Sequence, residues 1–387
     1  MKVNRRGCSE TVEVTADGEG FCSHAGALLL VNLADRLGLT GGLSMALAGT
    51  RQRRSAHDDG RVLRDLIVTL VQGGEHLSDL AALRDQPDLF GTVASDSTAF
   101  RLIERIGPSE LEGLRAARKD ARERAFALGA RPEKLVLDVD ATLVGSHSDK
   151  EQAAGNYKGG YGFHPMLCYL DGSDGALDGI LRPGNAGSNT GSDQTQAIEL
   201  ALQQLPEGCM TKELLVRGDS AACVHELIDF CRDAQMRFSV GHDLNAEVRE
   251  AITRLPDDAW VPAISQDGQP VCDHPTRPRE AYVAELTGLL DLCAWGQGAR
   301  LLVRRERAHP GAQLSLIDTD GWRHQAFLTA RPFSPRARPR RAAHRRRTGT
   351  RAGKAPVPGL PDERDLDAAR ALRTRPPRLR QGTDTHR

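Results

Sequence analysis

The sequence predicts an α/β protein. An α/β core sits between an all-helical N-terminal region and a β-rich stretch. Three observations carry this. Residues 21–128 place apolar side chains at helical spacing. From residue 134 the texture changes to short apolar runs alternating with amphipathic segments. After about residue 255 the helical spacing fades and strand-like runs take over. A chain of 387 residues suggests two or three domains at roughly 150 residues each. Its 39% apolar content and 39 glycines fall in the globular range and exclude wholesale disorder. The longest greasy run, 25–34, is interrupted by Asn32 and is too short to span a bilayer. The opening MKVNRRGCSETVEV has no apolar segment of the kind a secretory signal needs, so a cytoplasmic protein is expected.

In chain order, residues 1–20 read as an irregular or strand-forming arm. Ser23 caps a helix whose inner positions include Ala27, Leu30, Val31, Ala34 and Leu37, and Gly38 ends it. A second helix covers 58–71 and stops at Gly73 and Gly74. A short helix over 77–83, a proline-containing turn and a helix opening at Ser95 resemble a helix-turn-helix reader. That arrangement puts Ser97, Thr98 and Arg101 near a DNA groove; an ordinary capped helix is the alternative. Ser109 and Glu112 form a capping box for a helix burying Leu111, Leu114, Ala117, Ala121, Ala125 and Leu128 and closed by Gly129. Its other face carries Arg115, Arg118, Lys119, Arg122 and Arg124, as a solvated face or a DNA contact.

The core then reads as strands at 134–139, 165–170, 176–181, 213–217 and 236–240, with helices at 193–205, 221–233 and 245–254. Further strands are expected at 260–261, 281–286, 300–304, 313–317 and 322–328. The expected domains are therefore 1–130, 131–254, 255–330 and a tail, 331–387. The tail holds 16 Arg and one Lys against five carboxylates, a net +12, and eight of the 20 prolines. The preceding 330 residues carry −12. Such a tail is either a basic, disordered arm for nucleic-acid phosphates or the product of a shifted reading frame. Contacts to DNA elsewhere must use local patches, such as Arg51, Arg53 and Arg54, the 115–124 face, and Arg304, Arg305 and Arg307. Eight cysteines form no CxxC pair and read as reduced core thiols; Cys272 and His274 lack the second pair a zinc site needs.

The chemistry concentrates in two segments. In LVLDVDAT, 135–142, an apolar strand delivers Asp138 and Asp140 to one face. In LLVRGDS, 214–220, a second strand ends in Asp219. Like charges gathered at strand ends need a cation, and hard oxygen donors suit Mg²⁺ or Mn²⁺. One reading is a haloacid-dehalogenase-like phosphohydrolase, with Asp138 as nucleophile and Asp140 as acid/base. Its later Gly-Asp motif fits Gly218 and Asp219, but Cys223 stands where a further aspartate is expected.

The other reading rests on five segments spread along the chain: LDVDAT (137–142), NYKGGYGFHPML (156–167), LRPGNAGSNTG (181–191), VRGDSA (216–221) and WGQGARLLVRRE (295–306). Through these the sequence resembles bacterial DDE-type insertion-sequence transposases, close to the insertion-sequence family numbered thirteen-eighty. The resemblance implies a ribonuclease-H-like core with a β-rich insertion at 255–330 and a helical DNA-binding region before it. It implies Asp140 and Asp219 as catalytic metal ligands, two Mg²⁺ or Mn²⁺ ions, and cleavage and transfer of DNA strands. The implied partners are the element's terminal inverted repeats, target DNA and further copies of the chain. The loop between Tyr157 and Tyr161 sets Lys158 and Tyr161 to grip a phosphate or stack on a base; a plain hairpin turn is the alternative. The family's last acidic ligand, a glutamate on a helix after the insertion, has no counterpart here. Glu363 follows three prolines, and Glu285 and Glu306 precede the expected place. A frameshifted copy follows, either inactive or acting as a non-catalytic binder of DNA ends.

Overall fold

The computed structural model describes residues 24–50, 56–146, 149–171, 175–209, 214–264, 270–271, 280–307 and 321–330. The N-terminal arm, Ser23, the Arg51, Arg53 and Arg54 patch, Cys272 and His274, the strand expected at 313–317, and the tail with Glu363 lie outside the described residues. The chain divides into two compact units, 1–133 with 202–209, and 134–201 with 210–387.

The first unit is helical. Its helices are α1 (Ala27–Arg36), α2 (Leu39–Ala46), α3 (Asp59–Val71), α4 (Ala81–Arg84), α5 (Pro87–Phe90), α6 (Asp96–Glu104) and α7 (Pro108–Ala125). Asp58 caps α3 by accepting from the Arg61 N–H at 3.0 Å, and Ser95 caps α6 by accepting from Thr98 N–H. Val62, Leu66, Leu80, Leu83, Phe90, Ala99 and Leu102 form the core.

Two expectations fail in this unit. Helix α2 was not anticipated, because Gly41 and Gly42 argue against helix on propensity. Packing overrides that: a Cβ on Gly42 would lie 2.8 Å from the Ala117 Cβ of α7, and one on Gly113 would lie 2.9 Å from Ala46 Cβ. At each contact one helix offers a glycine where the other packs an alanine methyl. Helix α7 is also capped differently. Pro108 occupies its first turn, so Glu110 rather than Glu112 reaches back, accepting from Gly107 N–H at 2.9 Å. The helix buries Ala117 and Ala121, while Leu111 and Leu128 are exposed. Two of its basic residues serve the fold: Arg122 donates to the Gln204 carbonyl and Arg124 to the Leu37 carbonyl.

The second unit is built on a mixed sheet. Its strands are β1 (Val136–Ala141), β5 (Met166–Leu170), β6 (Gly175–Ile180), β7 (Leu215–Gly218) and β8 (Arg237–His242), followed by β9 (Val261–Pro262), β10 (Ala281–Glu285), β11 (Ala299–Arg307) and β12 (Trp322–Ala330). Among the described residues these form one nine-stranded sheet, ordered β6-β5-β1-β7-β8-β12-β11-β10-β9. β1, β5 and β6 form an antiparallel meander; β7 and β8 then lie parallel to β1. The helices α8 (Gly191–Gln203) and α9 (His225–Asp233) are the crossovers into β7 and β8, as parallel pairing requires. The helix α10 (Ala246–Thr253) follows β8. The β-rich stretch continues this sheet, because β12 pairs antiparallel with β8. Val139, Val216, Phe238 and Val240 line one buried face. A second, three-stranded sheet joins β2 (Val144–Gly145), β4 (Tyr161–Phe163) and β3 (Ala154–Gly155) in that order.

Candidate catalytic site

Parallel pairing sends the carboxyl ends of β1, β7 and β8 to one edge of the sheet. Val139 pairs with Gly218, so Asp140 and Asp219 stand in the next row on neighbouring strands. Asp219 leaves the strand into a tight turn, its Oδ1 accepting from Ala221 N–H at 2.9 Å. Gly218 makes that turn possible, since a Cβ there would lie 2.3 Å from Ala222 Cβ. Asp140 Oδ1 accepts from the Ala141 N–H at 2.8 Å. Both carboxylates are solvent-accessible.

The two aspartates of β1 have different surroundings. Asp138 pairs in register with Arg217, and both its oxygens are held, one by Nε and one by Nη2, each at 2.5 Å. Arg217 is only 1% exposed and also reaches Asp171 at 3.3 Å. A carboxylate gripped at both oxygens by a buried guanidinium is a structural ion pair, and the two charge-assisted bonds make it a poorer nucleophile. Burial still pushes the Asp138 carboxyl up from its usual value, and Arg217 opposes that shift. Asp140 has no such cation. Its carboxyl is raised first by burial and then by the charge of Asp219. A mutually repelling pair at an accessible edge is an electrostatic environment that a divalent cation relieves.

Two glycine-rich segments buttress this edge. Thr142 N–H donates to the Pro165 carbonyl, which brings His164 beside the end of β1. The His164 ring is buried, within 2.7 Å of the Ala186 carbonyl through Nδ1, and its charge lowers the Asp140 carboxyl. Its backbone exchanges two hydrogen bonds with Arg182, from His164 N–H to the Arg182 carbonyl and from Arg182 Nε to the His164 carbonyl. Gln194, buried on α8, donates to the carbonyls of Ser188 and Ala221 and so ties the 181–190 loop to the turn after Asp219. Sequence reasoning recorded both segments without assigning roles to His164, Arg182 or Gln194. A buried polar residue in a glycine-rich segment was the available signal.

The remaining expected residues occupy exposed places. Asn156 organises the turn around Lys158 by accepting from the N–H groups of Lys158 and Gly160. The Lys158 ammonium lies 5.5 Å from the Tyr157 ring centre. Tyr161 donates its hydroxyl to Asp149 at 2.9 Å, a bond that raises the phenol's pKa. Arg101, in the helical unit, lies along α6, its Nε donating to the Ser97 carbonyl at 2.9 Å. Of the glutamates considered, Glu285 pairs with Arg300 at 2.8 Å and Glu306 with Arg304 at 2.5 Å. Among the described residues no group of three or more His, Cys, Asp or Glu is placed to hold a metal ion. Among them, too, no helix is long and apolar enough to cross a membrane.

Two accessible carboxylates at the ends of neighbouring parallel strands, with a structural ion pair behind them, define an acidic edge in an α/β unit. Residues 4–347 match the family described as Transposase DDE domain group 1, so the chain belongs to the DDE transposases. It is also similar to a piggyBac transposase solved as a synaptic complex with hairpin DNA. That likeness has 13% identity and a TM-score of 0.35, over 78% of this chain and 60% of the other. The chain thus spans about 60% of that transposase's length. No curated protein matches.

Proposed function

We propose that the chain is an insertion-sequence transposase that binds the ends of its element and cleaves and joins DNA strands at the Asp140 and Asp219 edge. The observation that carries this is the pairing of those two carboxylates on neighbouring parallel strands in a sheet ordered meander first, then β7 and β8. That order resembles the ribonuclease-H-like arrangement, and it supports reading 131–254 as the catalytic core and 255–330 as the family's insertion. Asp140 and Asp219 are the residues that would hold Mg²⁺ or Mn²⁺. Their oxygen chemistry and mutual repulsion fit a hard divalent cation. When bound, such ions supply an activated water or 3′-hydroxyl and stabilise the leaving oxygen. The chain's own residues do the rest. Arg217 removes Asp138 from the chemistry by pairing with it. His164 and Gln194 fix the two backbone segments beside the carboxylates. Lys158 and Tyr161, exposed beside β4, would offer an incoming strand a cation and a ring, and Arg101, exposed on α6, would meet element ends.

The family's third acidic ligand has no candidate among the described residues. Residues 331–387 hold one glutamate, Glu363, beside prolines, and this sequence supports reading the copy as a relative of the family numbered thirteen-eighty with a frameshifted C-terminus. The experiment is divalent-ion-dependent nicking of DNA carrying the element's terminal repeats, with Asp140→Ala and Asp219→Ala as controls. Cleavage abolished by both substitutions is expected of an active copy. Binding without cleavage would leave a DNA-end-binding remnant. Cleavage that survives either substitution would refute the assignment.

A further inference from the structure

A second cluster lies four strands away from the carboxylates. Arg305 pairs in register with His324 and with Tyr282, and Arg307 with Trp322, so these side chains share one face of β10, β11 and β12. The Arg305 guanidinium is caged: its carbon lies 4.1 Å from the Trp260 ring centre, 4.7 Å from Trp322 and 5.2 Å from Tyr282. Its Nε is buried and has no hydrogen-bond partner among the described residues. A desolvated cationic donor without an acceptor is costly, and the aromatic faces and the nearby Asp257 carboxylate compensate only the charge, not the missing bond. Beside it opens a cavity of about 340 Å³, bounded by α10 and the ends of β11 and β12. Arg249 and His324 line it on the basic side, Glu250 and Asp257 on the acidic. That volume admits a phosphate with its sugar.

The register locates this cage relative to the acidic edge. Val139, Gly218, Val240, Leu328 and Leu301 form one row across five adjacent strands. Asp140 lies one residue past that row and Arg305 four residues past it, both in the carboxyl direction of β1. Four strand steps and three residues of rise separate them, about 20 Å in all. Arg305 projects from the face opposite that of Asp140. A twist of about 20–25° per strand accumulates to nearly a quarter-turn over that distance, so the two faces are not held back to back. At about 3.4 Å per nucleotide, 20 Å is roughly six nucleotides of one strand.

We infer that the Arg305 cage is a second phosphate subsite, taking a phosphodiester of the DNA about six nucleotides from the one at Asp140 and Asp219. The inference rests on the transposase reading and adds a place where the duplex is held. The aromatic walls partly desolvate the half-buried guanidinium, which strengthens the charge-assisted bond its nitrogens make to a phosphate oxygen.

The test is binding of the full chain to a duplex carrying the element's terminal repeats, in EDTA so that cleavage plays no part, over a series of salt concentrations. Arg305→Gln is expected to weaken binding about tenfold and to lower the salt slope by about one. Arg305→Lys should keep most of the slope and lose part of the affinity. Two of the chain's three tryptophans are in the cage, so DNA should quench tryptophan emission in the wild type and less in Arg305→Gln. If Arg305→Gln does not fold, Arg305→Lys and Trp322→Phe carry the comparison. Wild-type slope and affinity in the folded Arg305 variants would overturn the subsite alone. A wild type that binds no DNA would overturn the transposase reading together with it. Quenching by inorganic phosphate without any effect of Arg305 on DNA binding would make the cage a free-anion site and overturn the DNA assignment.

Discussion

Replacing Arg217 with methionine removes a guanidinium that is 1% exposed and leaves Asp138 and Asp171, each with side chains 31% exposed, facing an apolar stem. Breaking one partner out of a buried pair costs about 3–5 kcal/mol, because the remaining charge stays without compensation. At about 2–4 °C per kcal/mol for a unit of this size, the melting temperature should fall by roughly 6–20 °C at neutral pH. The loss should shrink toward acid pH, where Asp138, already raised by burial, takes up a proton and no longer needs a partner. Arg217→Met combined with Asp138→Asn should therefore be more stable than Arg217→Met alone, a coupling that a double-mutant cycle by calorimetry or denaturant titration measures. The same logic predicts that Asp138→Asn reduces DNA cleavage only in proportion to the folded protein lost. An Arg217→Met chain melting within about 2 °C of the wild type, or a fully folded Asp138→Asn chain as inactive as Asp140→Asn, would refute the division between structural and reactive aspartate.

Two further outcomes follow from the same structure. Asp140 has a carboxyl raised by burial and by Asp219, so above its folded pKa it detracts from stability, and the penalty disappears as pH falls toward the unfolded value of 3.8. Asp140→Asn should accordingly melt higher than the wild type at pH 7 in EDTA and no higher near pH 4, and Mg²⁺ should raise the melting temperature of the wild type more than that of the variant; calorimetry across pH measures both. In the helical unit, Gly42→Val places carbon where Ala117 Cβ would be 2.8 Å away, so prying α2 from α7 should cost about 1–3 kcal/mol or more, read by urea titration.

Much of the core was legible because buried parallel strands are written as apolar runs, and 134–139, 213–217 and 236–240 overlap the observed β1, β7 and β8. Helix α2 was not, since its glycines serve a contact with α7 that only the folded chain contains. The small sheet around β4 escaped because strands of two or three residues have no periodicity to read. At the site, period-two alternation put Asp138 and Asp140 on the same face; the family resemblance singled out Asp140, but no rule of periodicity or propensity divides them. Their difference comes from Arg217, 79 positions later, which reaches Asp138 only through the β1–β7 register. An arginine inside an otherwise apolar strand was the hint, and its partner depended on strand order.

The antiparallel seam between β8 and β12 also sets a tether length. Ala330 pairs with Phe238, near the start of β8, so the described chain leaves the sheet at the edge opposite the carboxylates. From there to the Asp140 row is about 10 Å along the strands and about 14 Å across three of them, some 17 Å in a straight line. Extended chain covers that in about five residues, whereas a helix advancing 1.5 Å per residue takes about a dozen. A side chain that the downstream sequence delivers to Asp140 and Asp219 must therefore come from about residue 335 or later, and from about 342 or later if the whole link is helical. The family match runs to 347, just beyond that minimum reach.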